Sequence, residues 1–348
     1  MQQMYRAVRL EIINRAANII SRTATQVLSD QDDVTVIDTA VQDLSISFNF
    51  SKNLDQSEDK DVGTISIKGL SAETVKKFGF RFARVKLFTK YLSSGLPYQL
   101  LFEADVTGVE FRKDSGTEVT LQLVGNIVKT TLAKKISFSA PENSDFVTVL
   151  NGLVMTSGFT GFNAEFSKDE NLTRLFEITY PFGYSATGTP QEVLDAFFRS
   201  YNLAWRVAKN NSIEFSPHFV GSLNVREYNV TVLSEETGLI GLPYLKTQDY
   251  TKGVDEAVEE NELNLGVKVT TKKDGSVKES KKRRVRKVGV EMKALINPTI
   301  EPNSVVQVST AAGVADGLYR VRSVKFSGET HGSNWYMEIF GEDTGREF

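Results

Sequence analysis

In the first 138 residues, apolar and polar residues alternate along several short runs. Every second residue is apolar in residues 8–12 and again in residues 44–50. This period of two residues predicts strands with one buried face. Further strands are predicted near residues 63–67 and 84–88, and a hairpin is predicted over residues 109–123.

Two local signals lie between these strands. The predicted hairpin turn contains Asp114, Ser115 and Gly116, residue types that tolerate the backbone angles of a tight turn. A short helix is predicted over residues 72–78, because the hydroxyl of Ser71 can cap its first turn.

Between residues 139 and 220 the apolar period changes to that of a helix. One apolar stripe consists of Phe146, Val149, Leu150, Leu153 and Val154. Gly158 can end this helix, since glycine readily adopts the left-handed conformation that follows many helices.

A second helix has a sharper start signal. Thr189 and Glu192 form a capping box around Pro190, which takes the first helical position. A small hairpin follows over residues 205–215, so residues 139–220 are predicted to form a small α+β domain. The apolar stripe of this helix consists of Val193, Leu194, Phe197, Phe198 and Tyr201. Its three aromatic residues are interpreted as core rather than as a ligand pocket.

The chain then becomes polar and charged from residue 245 to residue 287. An acidic stretch, residues 255–262, precedes a basic run over residues 278–287. So long a polar segment predicts an extended, exposed arm. Strands resume beyond it, near residues 288–292, 305–308, 319–321 and 335–339.

The last strands repeat the first ones. Three blocks recur in the same order, namely residues 63–69 with 289–294, 84–89 with 305–310, and 109–125 with 324–341. One such match is expected by chance in any β-protein, whereas three in order indicate a duplicated β-domain. The predicted domains are residues 1–138, 139–220 and 221–348, the last of them with a charged arm at about 245–287.

Composition adds constraints on the class of protein. The 348 residues contain no cysteine and carry a formal net charge of −3, so disulfides and thiolate metal sites are excluded and no overall attraction to nucleic acid is expected. No apolar run approaches the ~20 residues of a membrane span, and the N-terminus lacks the apolar segment of a secretory signal. The expectation is a chain without a membrane anchor, made and folded in a host cytoplasm.

The sequence contains few residues or motifs of the kinds that carry out catalysis. The two histidines, His218 and His331, lie beside turn residues and are interpreted as surface residues. Phosphate-binding and nucleophile-elbow motifs are absent from the sequence. Acid pairs such as Glu235 with Glu236 could serve a glycosidase in principle, but solvated surface is the favoured interpretation. The sequence therefore predicts a protein that is not an enzyme and has no catalytic residues, no metal and no cofactor.

The basic run is the one candidate interaction site. It could grip phosphates and release their counterions, or it could be a charged surface arm that docks on the acidic stretch or on a protein neighbour. The second interpretation is favoured, because no aromatic residues are interleaved to stack on bases. The basic residues are Lys278, Lys281, Lys282, Arg283, Arg284, Arg286 and Lys287.

Taken in order, several segments resemble the baseplate hub proteins of contractile-tailed phages (myovirus tail hubs, also found in tailocin-like particles). The segments that carry the resemblance are residues 8–12, 63–71, 238–243, 297–303, 317–321 and 335–339.

This resemblance implies a mainly β chain, with two similar tube-protein-like β-barrel domains and the small α+β domain between them. It implies a homotrimer in the virion, within the phage tail baseplate. There it would join the sixfold tail tube to the threefold central spike, contact other baseplate proteins, and line a channel through which DNA passes without specific binding. It supplies no catalytic residues.

Two other functions stay open at this stage. One is a β-rich receptor- or carbohydrate-binding tail protein, which unlike a hub would require a sugar or a receptor. The other is a nucleic-acid-binding protein that uses the basic arm, and a salt-dependent shift of DNA in a gel would distinguish it.

Overall fold

A computed structural model of the chain describes residues 6–14, 33–55, 61–71, 83–112, 118–125, 135–163, 174–208, 212–217, 230–250, 269–271, 277–279 and 285–343. These residues are mainly β-structure with two α-helices, as the alternating pattern predicted. The helix predicted over residues 72–78, the hairpin turn and the acidic stretch lie outside the described residues.

The first region supplies seven strands. They are β1 (Arg6–Asn14), β2 (Asp33–Asp38), β3 (Ser45–Asn53), β4 (Val62–Lys68), β5 (Arg84–Tyr91), β6 (Gln99–Arg112) and β7 (Glu118–Gly125).

The middle region supplies both helices and six short strands. In chain order these are β8 (Ile136–Ala140), β9 (Ser144–Asp145), α1 (Phe146–Thr156), β10 (Thr179–Tyr180), β11 (Tyr184–Gly188), α2 (Pro190–Ser200), β12 (Leu203–Val207) and β13 (Ile213–Pro217).

The last region returns to strands only. They are β14 (Val230–Leu233), β15 (Tyr244–Tyr250), β16 (Val269–Thr271), β17 (Val277–Glu279), β18 (Val285–Leu295), β19 (Val305–Val308), β20 (Gly317–Glu329) and β21 (Trp335–Asp343).

Strands of the first and last regions form one 13-stranded sheet. Its order is β15-β18-β21-β20-β3-β4-β7-β6-β5-β1-β2, with β19 beside β20 and β14 beside β19. Neighbours along this order are antiparallel, whereas β14 and β19 are parallel. The two regions meet where residues 323–329 of β20 pair with residues 47–53 of β3.

The two β-barrels expected from the resemblance are not seen as closed units. Among the described strands the sheet is an open path that ends at β2 and β15, and no closed barrel is found. Apolar residues of both regions also belong to one hydrophobic cluster. The β20–β3 pairing is the physical reason, because it joins the inner faces of the two regions.

The alternation predicted from the sequence sets the buried face of this sheet. The burial of β3 and β5 alternates along each strand, as expected for a sheet packed on one side. The inward-facing residues of β1 and β3 are Val8, Leu10, Ile12, Ile46, Phe48 and Phe50.

The repeated sequence blocks occupy corresponding places in the sheet. The order β4-β7-β6-β5 of the first region matches the order β18-β21-β20-β19 of the last. β3 lies beside β4 as β15 lies beside β18. The long strands β6 and β20 each carry a bulge at an equivalent point, at Thr107 and at Arg322. Bulges are specific features of a fold, so this agreement supports the duplication.

The register differs from the sequence match in two blocks: in the first, and in the second half of the third, where Leu123 rather than Gly125 corresponds to Gly341. The sequence placed Gly63 with Gly289, whereas pairing across the sheet from the bulges places Gly63 with Val290 and Ile65 with Met292. Ile65 and Met292 are both buried. The sequence match would have aligned a buried residue with an outward-facing one, because local identity does not fix strand register.

The middle region forms the predicted α+β unit with its own core. Asp145 caps α1 by accepting a hydrogen bond from the Thr148 amide, and Gly158 has a positive φ of 87° beyond the end of the helix. The capping box between Thr189 and Glu192 is present at α2. Both apolar helix stripes lie in one cluster with β12 and β13.

Replacing Thr189 with alanine is expected to lower the free energy of unfolding by about 1 kcal/mol, the usual loss of a helix cap. Urea denaturation measures it. Thr187→Ala is the matched control, because Thr187 is an exposed threonine of β11 and should change stability by less than about 0.5 kcal/mol. Equal effects of the two substitutions would contradict the capping role.

Candidate assembly surfaces

The joint between β3 and β20 is filled by aromatic residues. Phe50 of β3 faces Phe326 of β20, and their ring centroids lie 5.0 Å apart. Phe50 also stacks on Phe102 of β6 at 4.2 Å. Both Phe50 and Phe326 are buried, so this strand pairing is a packed interface between the two sequence repeats.

Trp335 at the start of β21 reaches across the same joint. Its ring packs edge-on against Phe48 at 5.7 Å and Tyr91 at 6.3 Å, and the Arg6 guanidinium lies 5.4 Å from its centre. These three partners belong to the first region. Trp335 faces the core, since only 3% of it is exposed.

Arg320 of β20 attaches the α+β unit to the sheet. Its guanidinium donates to Asn303 Oδ1 at 2.9 Å, to the Pro217 carbonyl at 3.0 Å and to Ser216 Oγ at 2.6 Å. Pro217 and Ser216 belong to β13. Arg320 is almost completely buried. Oxygen atoms from two parts of the chain accept its hydrogen bonds and so stabilise its buried charge.

A second charged link runs through Glu301. One carboxylate oxygen accepts from Lys52 Nζ of β3 at 2.9 Å, and the other lies 3.4 Å from Arg206 Nη2 of β12. Glu214 lies 3.2 Å from Arg206 Nε. Because Lys52 and Arg206 are both buried, Glu301 neutralises two buried cations at once.

Electrostatics keep Arg206 charged in this position. Burial by itself lowers the pKa of its guanidinium, but the carboxylates of Glu301, Glu214 and Asp61 outweigh burial and raise that pKa above its ordinary value. One signal for this role is visible in the sequence, namely an arginine between Trp205 and Val207 in an otherwise apolar strand. It did not indicate the partner, which lies 95 residues away.

Exposed apolar residues lie near two strands that are not neighbours in the sheet, β15 and β6. Leu242, Tyr244 and Leu245, at the start of β15, are all exposed. Phe111, near the end of β6, is 58% exposed. Large exposed apolar side chains on strands are typical of association surfaces.

A cleft of about 510 Å³ lies next to the start of β15. Its lining includes Glu291, Lys293, Lys325 and Glu338, on the outer face of the sheet. Glu338 is directly opposite Lys293 on one side and Lys325 on the other, and opposite charges in cross-strand pairs stabilise a sheet. Burial, with a smaller effect of Glu338, raises the pKa of Glu291. The arrangement is a strand face with alternating positive and negative side chains.

The structure places part of the basic run in strands. Lys278 lies in β17, which pairs with β16. Arg286 and Lys287 lie in β18, opposite Asp249 and Gln248 of β15. The base of the predicted arm is therefore an antiparallel strand pair of the main sheet. The other basic residues of the run, at positions 281–284, lie outside the described residues.

The part of the chain that the structure describes contains neither a cluster of metal-ligating side chains nor a helix that could cross a membrane. His331 is exposed and its Nε2 lies 3.5 Å from Asp43 Oδ1. Within the described ranges, no three metal-ligating side chains come together. None of the described helices has the length and apolar character needed to cross a bilayer. His218 lies outside the described residues.

Comparison of the whole chain with known proteins gives a result only at the level of structure. No protein-family model matches the sequence, and no curated protein matches it. A tail protein from Neisseria meningitidis MC58 superimposes with a TM-score of 0.52 at 9% identity, over 87% of this chain and 96% of that chain.

Two further structures extend this likeness. The E. coli c3393 protein, a component of the type VI secretion system with structural similarity to the T4 bacteriophage tail proteins gp27 and gp5, has a TM-score of 0.50 at 12% identity, over 86% of this chain and 73% of that chain. The lidless Francisella PdpA–VgrG complex contains a chain with a TM-score of 0.55 at 9% identity, over 98% of this chain and 65% of that chain.

The chain has the fold of phage tail proteins. The resemblance to tail hubs inferred from the order of sequence segments is confirmed at this level. With identities of 9% to 12%, the comparisons establish the tail-protein fold and transfer no individual residue.

Proposed function

We propose that this protein is a structural component of a phage tail or tail-like particle, a trimeric baseplate hub that joins the sixfold tail tube to the threefold spike. The observation that carries the proposal is the internal repeat within the tail-protein fold. Strand order and bulge position agree between the two repeats.

Symmetry explains why such a chain suits a hub. Three copies present six similar repeats in a ring, which matches a sixfold partner on one side while the ring itself keeps threefold symmetry for the other. Tail tube proteins, the central spike and other baseplate proteins are the partners this role requires, and the virion is its location. The role needs no catalytic residues and no cofactor.

The two repeats then serve as the tube-like domains of the hub, and the α+β unit is a side domain. Arg320 and Arg206 hold that unit to the sheet through buried hydrogen bonds and ion pairs. DNA would pass along the ring axis without specific binding. The basic run is placed outside this channel, because concentrated cations in the lumen would hold DNA by counterion release.

Native mass spectrometry of the purified full-length chain tests the assembly state. The expected result is a species of three chains, each of 38.7 kDa. Electron microscopy of the same sample should show a ring with six similar lobes. A stable monomer, a ring of six chains, or lobes of two unrelated kinds would contradict the hub.

A further inference from the structure

The strand β2 has no counterpart in the other repeat. The strands of the first repeat lie in the order β3-β4-β7-β6-β5-β1-β2, and those of the last lie in the order β15-β18-β21-β20-β19-β14. β14 thus has the place of β1, although it is parallel to its neighbour where β1 is antiparallel. Among the described strands, none lies beyond β14 as β2 lies beyond β1. Each chain therefore presents β2 once, whereas the other strand positions occur twice.

One side of β2 is a strand edge. The Thr39 amide donates to the Val8 carbonyl at 3.0 Å, in the register that pairs β2 with β1. Hydrogen-bonded and non-hydrogen-bonded pairs alternate along an antiparallel ladder, so the odd-numbered residues of β2 direct their backbone groups to β1. The even-numbered residues Val34 and Val36 direct their N–H and C=O groups to the opposite side.

These outward backbone groups are open within the part of the chain that the structure describes. There, Val34 and Val36 have no strand neighbour other than β1 and no backbone hydrogen bond to a loop. The next even-numbered residue, Asp38, already uses its carbonyl, which accepts from the amides of Val41 and Gln42 at 3.1 and 2.8 Å. The open edge therefore consists of the N–H and C=O groups of the two valines.

The side chains of this edge suit a further strand. Val34 and Val36 are 44% and 40% exposed, whereas Ile37 on the other face is buried. Natural edge strands are commonly protected from strand addition by a lysine, a proline or an inward-pointing charge. Residues 34–37 are Val-Thr-Val-Ile and contain none of these. β-Branched residues beside open backbone groups favour pairing with another strand.

A second β2 strand is an unfavourable occupant of this edge. Asp33 and Asp38 stand at the two ends of β2. When two β2 strands pair antiparallel with Val34 opposite Val36, each acidic end lies beside the acidic end of the other copy. Like charges on neighbouring strands destabilise a sheet. A strand with basic residues near its ends complements β2 instead.

We propose that β2 binds an extended segment of a different tail protein as an additional strand. The occupant is a polypeptide, because the edge requires C=O acceptors and N–H donors at the spacing of a strand. Its residues opposite Val34 and Val36 are apolar, and its ends are basic. The identity of the partner as a tail protein rests on the proposed function, whereas the strand addition rests on the edge itself.

The strand count sets the stoichiometry of this contact. Because β2 occurs once per chain, each chain offers one binding edge. In the proposed ring of three chains, these edges are related by threefold symmetry, and the pseudo-sixfold relation of the two repeats does not apply to them. The added strand therefore belongs to a partner that follows the threefold symmetry of the hub.

Hydrogen–deuterium exchange at single-residue resolution tests the added strand. The two samples are the purified full-length chain and purified tail particles that contain it. In the purified chain, the amides of Val34 and Val36 should exchange fast and those of Thr35 and Ile37 slowly, because only the latter two are bonded to β1. In the particles, exchange at Val34 and Val36 should slow by roughly tenfold or more.

The variant Val36→Pro removes one donor of the edge. Proline is tolerated in an edge strand where the missing N–H faces away from the sheet, so this variant should fold, and circular dichroism verifies that it does. In particles, its Val34 amide should exchange as fast as in the purified chain. Val36→Thr keeps the donor and a β-branched side chain, so it is the matched control and should retain the protection of Val34.

The outcomes separate this inference from the hub proposal. Fast exchange at Val34 and Val36 in particles would overturn the added strand, and so would protection of both amides already in the purified chain. Exclusion of Val36→Pro from particles that accept Val36→Thr would support it. Protection of β2 in particles, together with a purified chain that is not trimeric by native mass spectrometry, would overturn the hub and leave the added strand.

Discussion

Replacing Trp335 with alanine is expected to lower the free energy of unfolding by about 3–5 kcal/mol, the range for truncating a buried aromatic residue. Trp335 packs against Phe48 and Tyr91 of the first region while lying in the last strand of the chain. Its removal therefore opens a cavity at the joint between the two repeats, where strands from both regions prevent collapse. Guanidinium denaturation at one fixed protein concentration measures the loss, since assembly also affects apparent stability.

Glu338→Ala is the control for this substitution. Glu338 lies three residues further along the same strand and is exposed, so its truncation should cost no more than about 1 kcal/mol, the range of a cross-strand charge pair. A loss below 1 kcal/mol for Trp335→Ala would show that the joint between the repeats does not depend on this side chain.

Replacing Glu301 with alanine is expected to cost on the order of 3–5 kcal/mol, because it removes the carboxylate that two buried cations share. Glu301 contacts both Lys52 and Arg206, which are buried. Without that carboxylate, one cation on the sheet and one on the α+β unit lose their shared partner. Thermal and denaturant unfolding should both show the loss.

Two variants test the cause of this loss. Glu301→Gln keeps hydrogen-bonding capacity without charge and should lie between the wild type and the alanine variant. Glu236→Ala removes an exposed glutamate and should be nearly neutral. If Glu301→Ala is as mild as Glu236→Ala, the ion pairs do not hold the α+β unit to the sheet.

Local patterns in the sequence determined most of the elements. The alternation in β1 and β3 predicted which residues face the core, since a strand with one buried face needs a period of two. The capping box at Thr189 and the glycine after α1 predicted where helices begin and end, because these signals depend on neighbouring backbone groups. The order of three similar blocks also predicted the correspondence of the two β-regions.

The sequence left the candidate site largely open. The charge of the basic run is evident in the sequence. The exposed residues Phe111 and Leu245 belong to no recognisable sequence motif. Which positions are equivalent in the two repeats depends on two bulges and on the pairs across eight strands. A bulge shifts register by one residue without a reliable sequence signal, so equivalent positions could not be assigned before the strands were paired.

Tertiary structure alone decided how the regions combine. Residues at least 270 positions apart pair at the β20–β3 joint, and Lys52 contacts Glu301 across 249 positions. Such contacts are set by packing and strand pairing over the whole chain, and no local pattern contains them. Alternation specified the inward face of each strand, but which edges meet, and hence the single open sheet in place of two barrels, followed only from the folded chain.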